Sequence, residues 1–139
     1  MKQLSGLKLL EERDGDGKSA KKGNHVVYNT RVFLNKGKEV GIEASQIEQL
    51  PKDILRTVDG VTFVDHKTLL GSRQTIAGVE HALLGMKAGG YRKVRISPHL
   101  AYRDKGVPDF IPPDAVLIVE IWLREISSAL ESAEPSNAV

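Results

Sequence analysis

The sequence has no cysteine, only two methionines and one tryptophan, and aromatic residues make up 5% of it. Without a thiol there is no disulfide framework, no thiolate metal site and no cysteine nucleophile. Apolar residues never gather into the roughly eighteen-residue run that a membrane helix needs, and no small-residue cleavage site follows the short apolar stretch within Met1–Glu12. A cytoplasmic protein away from the membrane is therefore expected. Charge of one sign is also scarce: 20 Lys+Arg against 18 Asp+Glu leave +2. Basic pairs such as Lys21-Lys22 and Arg92-Lys93 are separated by acids, which argues for a solvated surface and against a nucleic-acid footprint.

What is present fits one ordinary domain, since 139 residues with 40% hydrophobic content can bury one core. Leu7 to Glu12 reads as an edge strand, followed by the turn-forming Arg13-Asp14-Gly15-Asp16-Gly17. A calcium loop there is set aside, because Lys18 stands where a third oxygen ligand is wanted. His25 to Leu34 is rich in β-branched and aromatic residues and closes on a hairpin turn at Asn35-Lys36-Gly37-Lys38. Ser45-Gln46-Ile47-Glu48 has capping-box spacing and Pro51 suits a helix start with Lys52 to Thr57, so 42–60 is expected to be a partly helical insertion. Val61 to Leu70 reads as a returning strand.

Val79, Ala82, Leu83 and Met86 form one apolar stripe on a short helix expected to end at Gly89-Gly90. Arg92 to Ile96 alternates basic with branched residues. Leu117, Val119, Ile121 and Leu123 alternate with Ile118, Glu120, Trp122 and Arg124, which turns Trp122 away from the core. Prolines 98, 108, 112 and 113 make 97–114 an ordered loop. The small, polar 127–139 is expected to be a disordered tail. These elements describe an α+β domain with one short helix on an antiparallel sheet. The four histidines share no ligand spacing that would suggest zinc. Gly85 to Gly90 is no phosphate loop, because it ends a helix and lacks the lysine.

Ile76-x-Gly78, Ala82-Leu83-Leu84-Gly85-Met86-Lys87-x-Gly89-Gly90, Ile96-Ser97-Pro98, Leu100-Ala101-Tyr102, Gly106-Val107-Pro108, Ile111-Pro112-Pro113 and the Ala115–Ile126 strand resemble, in order and spacing, the FKBP-type peptidyl-prolyl cis-trans isomerases. The N-terminal part matches more thinly, through Gly15-Asp16-Gly17, Lys22-Gly23, Val26-Val27 and Gly37-Lys38. The resemblance implies an antiparallel half barrel around one short helix, a family domain over 1–126, and isomerisation of X-Pro bonds without cofactor or metal.

It further implies that the Tyr102 hydroxyl and the Ile76 backbone N–H act as catalytic donors to the substrate. Val40, His66, Thr75, Val79, Val107, Phe110, Ile111 and Val119 are then substrate-binding positions. Four departures from the family accompany these matches. Val79 stands for the pocket tryptophan, Asn29 or Thr30 for the strand tyrosine, Val40-Gly41 for a Phe-Asp pair and Val119 for a pocket phenylalanine. Expected partners are proline-containing peptides or unfolded proteins bound by a monomer. Macrolide binding is expected to be weak or absent, with no nucleic-acid or membrane partner. The alternative is a catalytically weakened FKBP-like protein- or peptide-binding module.

Overall fold

The computed structural model describes residues 4–41 and 44–128. In chain order the elements are β1 (Leu7–Arg13), β2 (Asn24–Leu34), β3 (Glu39–Val40), α1 (Ala44–Ile47), a 3₁₀ turn (Lys52–Ile54), β4 (Leu55–Val58), β5 (Val61–Val64), β6 (His66–Leu69), α2 (Ala77–Leu83), β7 (Tyr91–Ile96), a second 3₁₀ turn (Pro98–Leu100) and β8 (Leu117–Ser128). One curled antiparallel sheet has six strands in the order β1-β7-β8-β2-β3, with β6 also on β2. The fold is the α+β half barrel anticipated above.

Strict alternation along β8 explains the core: Leu117, Val119, Ile121 and Leu123 are buried on one face, where they meet Val26 and Tyr28 of β2, Val94 and Ile96 of β7, and Val79, Ala82 and Leu83 of α2. The helix is shorter than its apolar stripe suggests. It ends at Leu83 because Gly85 takes a positive φ of 83°, and the Gly85 N–H donates to the Ala20 carbonyl. Met86 still enters the core, from the turn beyond the helix.

Four further expectations change. The helical insertion holds only one turn of α1 and the 3₁₀ turn, and from Leu55 the chain forms a separate two-stranded sheet, β4–β5. Asp59 (φ 50°) and Gly60 (φ 81°) between the paired Val58 and Val61 make its two-residue turn, in which both central residues need positive φ. The single returning strand is thus split into β5 and β6. Ser127 and Ser128 belong to β8, opposite His25 and Asn24, while the rest of the expected tail lies outside the described residues. Arg92 does not face solvent with its basic neighbours: it is buried, its Nε bonded to Glu12 and its Nη1 donating to the Ala82 and Leu84 carbonyls at the end of α2. Among the described residues no helix is long and apolar enough to cross a membrane.

Candidate functional site: an apolar cleft beside an inserted hairpin

On one edge, β2 is paired twice. Its N-terminal part, His25–Tyr28, takes β6, and Val32–Phe33 take β3. Between those stretches the chain leaves the sheet after Val40 and returns at His66, carrying the β4–β5 hairpin with it. The detour walls one side of a cleft of about 720 Å³. The opposite side comes from the α2 entry and the loop after β7.

The floor is apolar and buried: Tyr28, Val79, Ile111, Leu117 and Val119, with Val32 beside them. Ile111 is held there by its neighbour. Val107 and Ile111 exchange both backbone hydrogen bonds at 2.8 Å, closing a tight loop. Tyr102 stands on the mouth, 38% exposed, near the half-buried Thr75 and Ile76. Ile76 precedes the first turn of α2, where backbone N–H groups have no acceptor within the helix. The facing lip is Val40, Gly41, Ile47 and the hairpin residues Val61 to Val64.

The cleft's electrostatics are muted. Burial pushes the Tyr28 phenol above its ordinary pKa, a side-chain hydrogen bond with Thr75 opposes this, and Tyr102 and Glu80 raise it further. Tyr28 therefore stays a neutral phenol at physiological pH. His66 tilts over the Tyr28 ring at 5.4 Å. Although it keeps solvent contact at the mouth, the surrounding wall desolvates its ring and lowers its pKa, against a smaller upward pull from Asp65. Glu39 is a lining carboxylate, but Arg31 holds both its oxygens, at 2.9 and 2.8 Å. That fork lowers the Glu39 pKa in spite of partial burial.

Of the ten residues singled out from the sequence, the cleft brings together Tyr102, Ile76, Val40, His66, Thr75, Val79, Ile111 and Val119. Val107 and Phe110 are not among its lining residues. Val107 packs on the core and braces Ile111, and Phe110 is 49% exposed. Of the two candidates for the strand tyrosine's place, Thr30 lines the cleft and Asn29 does not, and Tyr28 contributes an aromatic ring to the floor beside Thr30. Val26, Tyr28, Thr30 and Val32 share one face by simple alternation, a signal that strict period-two reading would have caught. The hairpin wall was missed as well, although Asp59-Gly60 between valines is a strong turn signal.

Trp122 lies outside the cleft lining. It sits with ring centroids 5.0 Å from Phe63 and 5.2 Å from Tyr91, opposite Asn29 and Tyr91 in the sheet. Phe63 is thus shared: it lines the cleft and also touches the outward tryptophan.

Residues 17–124 match the family model described as FKBP-type peptidyl-prolyl cis-trans isomerase. The FK506-binding protein 1A of Neurospora crassa is 31% identical over 122 residues, covering 87% of this chain and 88% of that protein. The 46 kDa FK506-binding nuclear protein of Spodoptera frugiperda is 32% identical over 126 residues, but they amount to only 27% of its length. Among solved structures, FkpA from Escherichia coli superposes with a TM-score of 0.62 at 28% identity, covering 88% of this chain and 48% of FkpA.

Proposed function

Because the chain belongs to the FKBP-type peptidyl-prolyl cis-trans isomerases, we propose that its cleft catalyses rotation about X-Pro bonds in peptides and folding proteins. The observation that carries this reading is the apolar floor of Tyr28, Val79, Ile111 and Val119 in a cleft that Tyr102 also lines. The X-Pro bond isomerises over tens to hundreds of seconds, because rotation breaks amide resonance across a barrier of about 18–20 kcal/mol. No bond is made or broken, so the site needs neither metal nor nucleophile. The twisted amide has a less polar carbonyl than either planar form, and it is favoured by a dry wall that releases water from the imide. Removing about 4 kcal/mol gives roughly a thousandfold.

In this reading the proline ring packs on Val79 and Val119, with Ile111 beside it. The Tyr102 hydroxyl and the Ile76 N–H donate to the substrate's carbonyls on either side of the reacting amide, holding the chain while the imide turns. Val40, Thr75 and His66 flank the substrate. A protease-coupled isomerisation assay on proline tetrapeptides tests this. The wild type should accelerate the slow phase, and Tyr102→Phe should lower kcat/KM by roughly tenfold, the value of about one hydrogen bond to the reacting group. No acceleration at micromolar protein, or none that Tyr102 affects, would overturn it.

A second reading is favoured by one observation: Glu39, a carboxylate on the lip, is tied to Arg31, and Gly41 stands where the family carries an aspartate. A module that binds proline-containing segments with little turnover would follow. It predicts saturable peptide binding in the same preparation that fails the isomerase assay.

A further inference from the structure

The β4–β5 hairpin walls one side of the cleft and is fixed by its own partly buried polar network. Asn29, fully buried on β2, donates from Nδ2 to the Val64 carbonyl at 2.8 Å and to Asp65 Oδ1 at 2.7 Å. Asp65 in turn receives a fork from Arg56, Nε to Oδ1 at 3.0 Å and Nη2 to Oδ2 at 3.2 Å, and the same guanidinium reaches Glu125 on β8 at 3.0 Å. Arg124 donates to the remaining Asn29 oxygen at 2.7 Å. Phe63 adds an apolar anchor against Trp122. A hairpin whose base is tied this way to β2 and β8 is preorganised, so a ligand that contacts it meets little ordering cost.

Its cleft side is apolar where the tip is exposed. Val61 lines the cleft while 44% exposed, and Tyr102 does so from the opposite lip at 38% exposure. These two and Phe110 are the large hydrophobic residues left exposed among the described residues. Two of the three therefore line the same cleft. Exposed apolar side chains gathered at one concave site mark a contact surface.

We infer that the hairpin is a second substrate wall, in which Val61 and Phe63 receive an apolar side chain flanking the proline of an unfolded polypeptide, and that it sets a preference for long non-native chains over short peptides. This rests on the proline-binding reading of the cleft floor. Asn29, Arg56 and Asp65 act as positioning residues for the wall. Selectivity arises because a tetrapeptide satisfies the floor alone, whereas a longer chain also buries Val61.

The test compares two substrates on three proteins: wild type, Val61→Ser and Val61→Glu. One substrate is a proline tetrapeptide, and the other is an unfolded protein whose refolding is limited by proline isomerisation. Val61 is exposed at a hairpin tip, so both variants should fold, which circular dichroism checks. The expected result is that catalysis of refolding falls about five- to tenfold further than tetrapeptide kcat/KM does, roughly the burial of one valine side chain. Equal losses on both substrates, or no loss on either, would overturn the inference. If the wild type turns over neither substrate, the isomerase reading fails by itself. The wall is then tested by fluorescence anisotropy with a labelled, permanently unfolded protein: Val61→Glu should weaken binding by the same factor, and unchanged binding would overturn it.

Discussion

Asn29 and Asp65 are joined by a 2.7 Å hydrogen bond from the amide nitrogen of one to the carboxylate of the other, so a single buried residue on β2 holds the point at which the chain re-enters the sheet. Both sides of the Asn29 amide are used, because Arg124 donates to its oxygen. Asn29→Ala should leave the Val64 carbonyl and the Arg124 guanidinium short of a partner and cost about 2–3 kcal/mol. Urea unfolding measures it, and a loss below about 0.5 kcal/mol would show that the network is not required for the fold.

Acid should weaken the fold in two stages. His66 has its pKa lowered by burial from 6.5, so the unfolded chain binds the proton more tightly. The stability this contributes is complete above pH 6.5 and is lost as pH falls through the lower, folded value. Burial alone would raise the Asp65 pKa, but hydrogen bonds from Arg56 and Asn29 outweigh it and hold it below its ordinary value of 3.8. Its contribution survives the first stage and is lost only below that value. Urea titrations at stepped pH should show a first decline as pH falls below about 6.5 that His66→Gln abolishes. A decline of the same size in the variant would assign it elsewhere.

Helix α2 lies so close to the sheet that one methyl group matters. A Cβ on Gly78 would stand 2.5 Å from Cγ2 and 2.9 Å from Cδ1 of Ile96. Gly78→Ala should therefore cost about 1–3 kcal/mol through overpacking and shift Val79 in the cleft floor. Stability and tetrapeptide turnover should fall together, and a neutral substitution would mean that the helix has room to move outward.

Macrolide ligands such as rapamycin should bind weakly, because Val79 stands where the family's pocket tryptophan would stack on them. Trp122 emission should change little on titration, since its ring packs on Tyr91 and Phe63 away from the floor. Strong quenching at micromolar ligand would show that Phe63 transmits occupancy to Trp122.

These residues also mark how far the chain could be understood before its structure. Period-two alternation along β8 was enough to bury Val119 and turn Trp122 outward, because both faces of that strand have consistent partners. The same rule was available for Tyr28. A residue-for-residue match to the family's strand instead pointed to Asn29 or Thr30, and only the face a side chain occupies decides such a choice. Arg92 shares parity with Val94 and Ile96, yet a charged residue reads as surface until Glu12, distant in sequence, and the carbonyls ending α2 supply its partners. The hairpin was obscured by Pro51 and Ser45, whose helix signals are local and account for only a few residues. The cleft lining was legible where loop motifs carry it, at Tyr102 and Ile111. The opposite lip was not, because it depends on where an insertion folds back.

The double pairing of β2 has a consequence for how such a chain can diversify. With β3 secured at Val32–Phe33 and β6 at His25–Tyr28, both ends of the intervening excursion are anchored in register before its content matters. Lengthening a segment between fixed ends adds only about 0.6 kcal/mol of closure entropy per doubling. That interval is therefore a natural cassette site, where one lip of the cleft can be exchanged for another while the barrel and its floor are kept.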